Sequence, residues 1–256
     1  MYLQLYLAAT PADFPLARKH TGYLAHMAYR IGPDGSLLIA ALPPSLRGGL
    51  MLLSDRDAGT PQNTLAKQIL QECLSRNYAG VVLDSDGPPT LPPEFPAQLE
   101  SVLLKHRRKL FLPEHYAPTA PHSTVLVCTA ISGGHLRQYL QEVQAQYGSI
   151  ALDLQRLQMD FSLPAPKGIG SPLSHRELQL LRSNHPVFFS QPLCAHYFTY
   201  TKSAHPHLVL FDDVTTLQEK IRLGQELDIP YGFFMLPETI DILEELFPSD
   251  PENKRI

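Results

Sequence analysis

Apolar residues recur along this chain in two rhythms. Short, nearly unbroken runs of Val, Leu and Ile alternate with longer stretches in which apolar residues return every three or four positions. The runs predict strands over residues 2–8, 24–31, 37–42, 50–54, 80–86, 109–117, 124–131, 150–161, 187–190, 208–211 and 232–236. Runs without polar alternation suit parallel strands covered on both faces. The longer stretches predict helices. Residues 62–76 place Leu65, Ile69 and Cys73 on one side, and residues 97–108 do the same with Leu99, Val102 and Leu103. Residues 134–147 carry Leu136, Tyr139, Leu140, Val143 and Tyr147 at helical spacing. Ser174 with Glu177 reads as a capping box opening a further helix. Helices over 216–228 and 239–247 follow.

Strand and helix in alternation predict βα units and a parallel sheet. The length, 256 residues, suits a single α/β barrel. The expected fold is one somewhat degenerate (β/α)8 TIM barrel over residues 1–247, with small hairpin insertions and a charged tail over 248–256. One hairpin is expected after the second strand and an extra extended piece at 109–117. The first and last strands should lie side by side. Twenty-four prolines, as in Gly87-Pro88-Pro89-Thr90-Leu91-Pro92-Pro93, argue for stiff connections.

Net charge is −4, so a general positive field for nucleic acid is excluded. No apolar run approaches the length of a membrane span. The start lacks a basic segment and a long apolar core, so no signal peptide is visible. The three cysteines are far apart and form no CxxC pair; they read as small buried residues. The histidine pair of His205-Pro206-His207 has no third ligand nearby, so no metal and no cofactor is expected. The segment 105–109, Lys-His-Arg-Arg-Lys, suits a helix C-terminus, although such a cluster can also grip an anion.

Candidate chemistry sits at strand ends. The strand Gly80-Val81-Val82-Leu83-Asp84-Ser85-Asp86 ends in two carboxylates that share one face. In barrels the C-terminal strand ends carry catalysis, and neighbouring carboxylates can push one pKa up to make an acid. The plainer alternative is that they solubilise a strand end. Asp160, after Leu157-Gln158-Met159, holds a similar place. Asp212 and Asp213 precede a helix and suit capping. Glu114, His115 and His135 are minor candidates near strand ends. There is no G-x-S-x-G nucleophile elbow.

These segments, in order, resemble the family 18 glycoside hydrolases, the chitinase-like barrels, and within them the bacterial spore-cortex and germination branch. Residues 26–37, HMAYRIGPDGSL, resemble the branch's second strand and turn. Residues 79–86 resemble the DxxDxDxE strand, 157–160 the M-x-Y-D strand, and 208–238, with FDD and YGFFMLPE, the closing segment. The resemblance implies a bacterial hydrolase fold acting in carbohydrate metabolism or sporulation. It implies Asp86 as the acid, Asp84 as the group orienting the substrate's own acetamide nucleophile, and Asp160 as a substrate contact. The family's glutamate falls on Asp86, its tyrosine on Met159, and its sugar-stacking tryptophan on Leu236. Asp is one methylene shorter than Glu, and a misplacement of about 1 Å can cost on the order of 10²-fold.

The expected function is therefore action on, or binding of, an N-acetylglucosamine-containing glycan with weakened or altered catalysis. The alternative is a non-catalytic barrel, a pseudoenzyme, that binds a glycan or protein partner in spore or envelope assembly. A barrel enzyme of another class would need a ligand cluster that the sequence does not offer. If sugar binds, Tyr29, Tyr116, Tyr197 and Phe234 are the candidate stacking residues. The expected location is cytoplasmic or spore-associated.

Overall fold

The computed structural model describes residues 3–85, 87–165 and 168–248. Asp86 and most of the expected tail thus lie outside the described residues. The elements, in chain order, are β1 (Gln4–Ala9), α1 (Phe14–Ala17), β2 (Leu24–Ile31), β3 (Leu37–Ile39), β4 (Leu50–Ser54), α2 (Leu65–Ser75), β5 (Gly80–Asp84) and α3 (Glu94–Lys105). There follow β6 (Lys109–Pro113), β7 (Thr124–Cys128), α4 (Leu136–Tyr147), β8 (Ile150–Asp153), β9 (Gln158–Ser162), β10 (Ser171–Pro172) and α5 (His175–Arg182). Last come β11 (Phe188–Ser190), β12 (Ala195–Lys202), β13 (His205–Phe211), α6 (Val214–Glu226), β14 (Tyr231–Met235), α7 (Leu236–Thr239) and α8 (Leu243–Leu246).

Eight of these strands close a parallel barrel in the order β1, β2, β4, β5, β6, β7, β8, β14. β1 pairs with β14 from Gln4 opposite Tyr231 to Ala8 opposite Met235, and with β2 on its other side, so first and last strands close the ring as expected. The unalternated apolar runs follow from two buried faces. Leu7, Val81, Leu83, Leu112, Val127, Leu152 and Phe234 face outward into the layer packed with helices. Tyr6, Ala25, Leu50, Leu52, Val82, Phe111, Ala151 and Phe233 fill the barrel interior. Tyr6 stacks on Phe233 at 5.3 Å, and Phe111 meets Phe233 edge-on at 5.1 Å. That aromatic plug makes the barrel a packed core rather than a pore.

Two hairpin regions are added. β3 folds back antiparallel on β2. Between β8 and α6, β9 to β13 form a second, antiparallel sheet in the order β10, β9, β13, β12, β11. Two expectations are corrected here. The piece at 109–117 is not extra: Lys109–Pro113 is the fifth barrel strand, and Glu114–Thr119 winds into a 3-10 helix. The run 150–161 is two strands, because the chain leaves the barrel after Asp153 and the Asp212 carboxylate holds the Leu157 amide at 2.9 Å.

The inserted sheet is anchored to the barrel by a buried ion pair. Lys220 of α6 donates to Asp212 at 2.7 Å, both side chains fully buried, and Thr216 donates to the other carboxylate oxygen at 2.8 Å. Asp213 caps α6, accepting from the amides of Thr215 and Thr216. The Ser174–Glu177 capping box forms as read from the sequence. Among the described residues no helix is long and apolar enough to cross a membrane.

Candidate functional site at the barrel mouth

Inward-facing positions at the C-terminal strand ends build the mouth. Strand alternation carries the facing of Val82 on to Asp84, of Leu126 to Cys128, of Ala151 to Asp153 and of Phe233 to Met235. Ser54 lies opposite Asp84 in register, and Cys128 opposite Asp153. Two carboxylates on strands four and seven of the ring thus face into one opening.

Three cavities run across that opening. The first, about 690 Å³, is bordered by Met27, Arg30, Ser54, Arg56, Asp84 and Met235. The second, about 370 Å³, is bordered by Asp84, Glu114, His115, Cys128, Asp153 and Gln155. The third, about 650 Å³, is bordered by Gln155, Arg156, Met159, His175 and Glu238 beside the inserted sheet. Asp84 is common to the first two and Gln155 to the last two, so they form one groove.

Hydrogen bonds fix its walls. Gln155 donates to Asp153 at 3.0 Å and accepts from the Cys128 thiol at 3.5 Å. Burial, then the Asp153 charge, pushes the Cys128 thiol up to about 11. Tyr139 donates to Glu114 at 3.0 Å, and burial together with that bond raises its phenol pKa. Burial lowers the pKa of His115. Below the loop that follows Asp84, Tyr116 donates to the buried Asp55 at 3.2 Å and accepts from the amides of Thr90 and Leu91 at 3.1 and 3.0 Å. The Asp55 amide in turn donates to the Asp84 carbonyl at 3.2 Å. This strut holds the proline-rich loop against the mouth.

The structure treats the expected site residues differently. Asp84 stands in the groove, while Asp86 lies outside the described residues. Asp160 sits on β9 of the inserted sheet. Its neighbours Met159 and Phe161 face one side, and its carboxylate, on the other side, takes Tyr200 at 2.7 Å and His207 at 2.9 Å. Tyr29 borders the first cavity, but its hydroxyl pairs with Tyr78 at 2.8 Å and Glu72 at 3.0 Å towards α2. Tyr116 is buried in the strut. Tyr197 lies on β12 with its ring 5.6 Å from that of Phe188. Phe234 is fully buried on the outer face of β14, edge-on to Phe247. Leu236 is likewise fully buried, and Met235 borders the groove in its place.

Asp153 and Gln155 escaped the sequence reading. The signal was present: Ile150-Ala151-Leu152-Asp153 is an apolar run ending in a carboxylate, as Gly80 to Asp84 is. Extending that strand to residue 161 hid its end.

A closed (β/α)8 barrel with carboxylates at its mouth and an antiparallel sheet inserted after the seventh strand defines the class. The chain matches no known family profile, and no curated protein matches it. Solved structures do. The spore cortex-lytic enzyme SleL of Bacillus megaterium QM B1551 superposes with a TM-score of 0.62 at 16% identity, over 95% of this chain and 74% of that one. A glycoside hydrolase family 18 N-acetylglucosaminidase from Paenibacillus barengoltzii gives 0.66 at 12% identity, over 97% and 100%. A chitinase from Chromobacterium violaceum ATCC 12472 gives 0.63 at 11% identity, over the whole of both chains. In fold, the chain is thus similar to the family 18 glycoside hydrolase barrels, spore cortex-lytic enzymes among them.

Proposed function

We propose that the mouth groove binds an N-acetylglucosamine-containing glycan and that its hydrolytic chemistry is weakened or altered. The observation that carries this is the placement of Asp84, common to two adjoining cavities at the end of the fourth barrel strand. A carboxylate there can hold a sugar acetamide in either direction along the groove. The fold neighbours, which include an N-acetylglucosaminidase and a cortex-lytic enzyme, support the same class of ligand. In this reading Asp86 is the acid, Asp84 orients the acetamide, and Asp153 takes the contact first given to Asp160. Asp160 itself serves the inserted sheet, through Tyr200 and His207. A second reading, a binding barrel without turnover, is favoured by Met235, a flexible thioether where a flat ring would stack a sugar.

Calorimetric titration of chito-oligosaccharides and peptidoglycan fragments tests the binding. Asp84→Asn should weaken it by about tenfold, a lost charge-assisted hydrogen bond. No binding of any glycan at millimolar concentration would overturn the glycan reading. Hydrolysis assays then separate the two readings: slow turnover abolished by Asp86→Asn and raised by Asp86→Glu marks a short-armed acid. Turnover that survives Asp86→Asn removes Asp86 from the mechanism.

A further inference from the structure

The opposite end of the barrel carries a second, differently charged cavity. It opens where β2 and β4 begin, holds about 480 Å³, and is bordered by Arg18, Lys19, Thr21, His26, Arg47 and Gly48. Arg18, Lys19 and Arg47 are exposed, and among the described residues none has a carboxylate within ion-pairing distance. Arg47 is held in place by its own bonds to the carbonyls of Pro44 and Leu46. Lys105 to Lys109 lie on the same face, since β6 starts at Lys109. The rim of the cavity itself carries three exposed cations, Arg18, Lys19 and Arg47, in a chain of net charge −4.

His26 supplies an independent observation. It is 2% exposed, borders the cavity, and has a buried Nδ1 with no hydrogen-bond partner. A carbonyl only accepts, so Nε2 donates to the Gly48 carbonyl at 3.0 Å, and the neutral ring leaves Nδ1 an acceptor without a donor. Around the ring stand Phe14 from α1, Tyr78 ahead of β5, and the positive charges of Arg18 and Arg76. Burial and those charges hold the ring neutral, with its pKa near 4. Protonated, Nδ1 is a donor, so an anion lodged among these cations would favour that proton and give the buried atom its partner.

We propose that this cavity binds the phosphate group of a phosphorylated small molecule of about sugar-phosphate size. Guanidinium forks match phosphate oxygens in geometry and charge. The volume exceeds what phosphate alone needs and falls within the range of small-molecule sites. A dianion placed against Arg18, Lys19 and Arg47 reverses the local potential, so the His26 ring becomes easier to protonate. The site is independent of the glycan groove, which lies at the other end of the barrel.

The full chain is titrated by calorimetry and by NMR of the His26 ring, using inorganic phosphate, glucose 6-phosphate and, as the uncharged control, glucose. Glucose 6-phosphate should bind at submillimolar concentration in low salt, glucose should not, and the His26 pKa should rise on binding. Arg18→Gln with Lys19→Gln, both at exposed positions, should weaken binding by at least about tenfold with the thermal midpoint unchanged. Arg47→Gln is a third arm, checked for folding first because of its loop bonds. Asp84→Asn in the distant groove should leave phosphate binding intact. The proposal is overturned if neither phosphate probe binds at millimolar concentration, or if glucose binds equally well. It is also overturned if inorganic phosphate binds and glucose 6-phosphate is excluded, if the double variant binds as wild type does, or if Asp84→Asn abolishes binding.

Discussion

Tyr116→Phe distinguishes a sugar-stacking ring from a structural strut, because it keeps the ring and removes only the hydroxyl. In the structure that hydroxyl makes three bonds, to Asp55 and from the amides of Thr90 and Leu91. Thr90 is exposed, so water replaces its lost partner at little cost. Leu91 is buried, and an unmet buried donor costs about 1–3 kcal/mol. Asp55 keeps the Thr90 hydroxyl at 2.7 Å and loses one charge-assisted bond. The expected loss is about 2 kcal/mol, or roughly 4–8 °C in a chain of this size. Urea denaturation and calorimetry measure it directly. The loop between residues 87 and 93 should also lose hydrogen-exchange protection, which would loosen the groove wall next to Asp84. A variant as stable as wild type that has lost glycan affinity would refute the strut and restore the ring to ligand binding.

Three further outcomes are expected. Lys220→Met leaves the buried Asp212 carboxylate without its cation and should cost about 3–5 kcal/mol by urea denaturation; the double variant Asp212→Leu/Lys220→Met should recover part of that, and equal losses in both would show that the pair itself is not what matters. His26 is held near pKa 4, below its ordinary 6.5, chiefly by burial, so unfolding takes up a proton between those values. Stability should therefore be full above pH 6.5 and fall by about 3 kcal/mol towards pH 4, a slope that His26→Leu should flatten in denaturation curves. The Cys128 thiol, pushed up to about 11, should react slowly with iodoacetamide at pH 8, and Asp153→Asn should speed it; a fast wild-type reaction would contradict the buried, anion-facing thiol.

The barrel was legible because its strands are buried on both faces. Runs such as Leu50 to Leu53 and Gly80 to Leu83 carry no polar alternation, and only a sheet covered on both sides asks for that. The capping box at Ser174 was legible because its chemistry is local, confined to four residues; at Asp212 and Asp213 the sequence reads only as a cap, and the structure makes Asp213 the cap of a box starting α6 at Val214. What escaped depends on contacts distant in sequence. The break in the run after Asp153 is set by Asp212, 55 residues from Leu157. The Asp212–Lys220 pair did leave a trace: Thr216 and Lys220 lie four apart on an otherwise apolar face of α6, and Asp212 precedes its cap by one residue. Tyr116 reads as a candidate stacking ring at the end of an extended piece until the fold brings beside it the amides that its hydroxyl caps.

Strand parity decides which side chains can take part in chemistry at the mouth. On β14, Phe233 and Met235 face inward and Phe234 outward, and Leu236 is buried with Phe234 in the helical layer. Moving the closing tryptophan's role by one residue, from Leu236 to Met235, is therefore a change of face rather than a detail of alignment. A methionine can follow a sugar's apolar side but offers less flat area than an indole. Discrimination in the groove then falls on its polar wall: Asp84, Asp153 and Gln155, with Arg30 and Arg56 at one end. A site of that composition selects by hydrogen-bond geometry more than by stacking. Sugar binding should accordingly be enthalpy-driven with a small heat-capacity change, and it should respond more to Asp84→Asn or Asp153→Asn than to Met235→Leu. The reverse ranking in calorimetry would return the dominant role to the apolar floor.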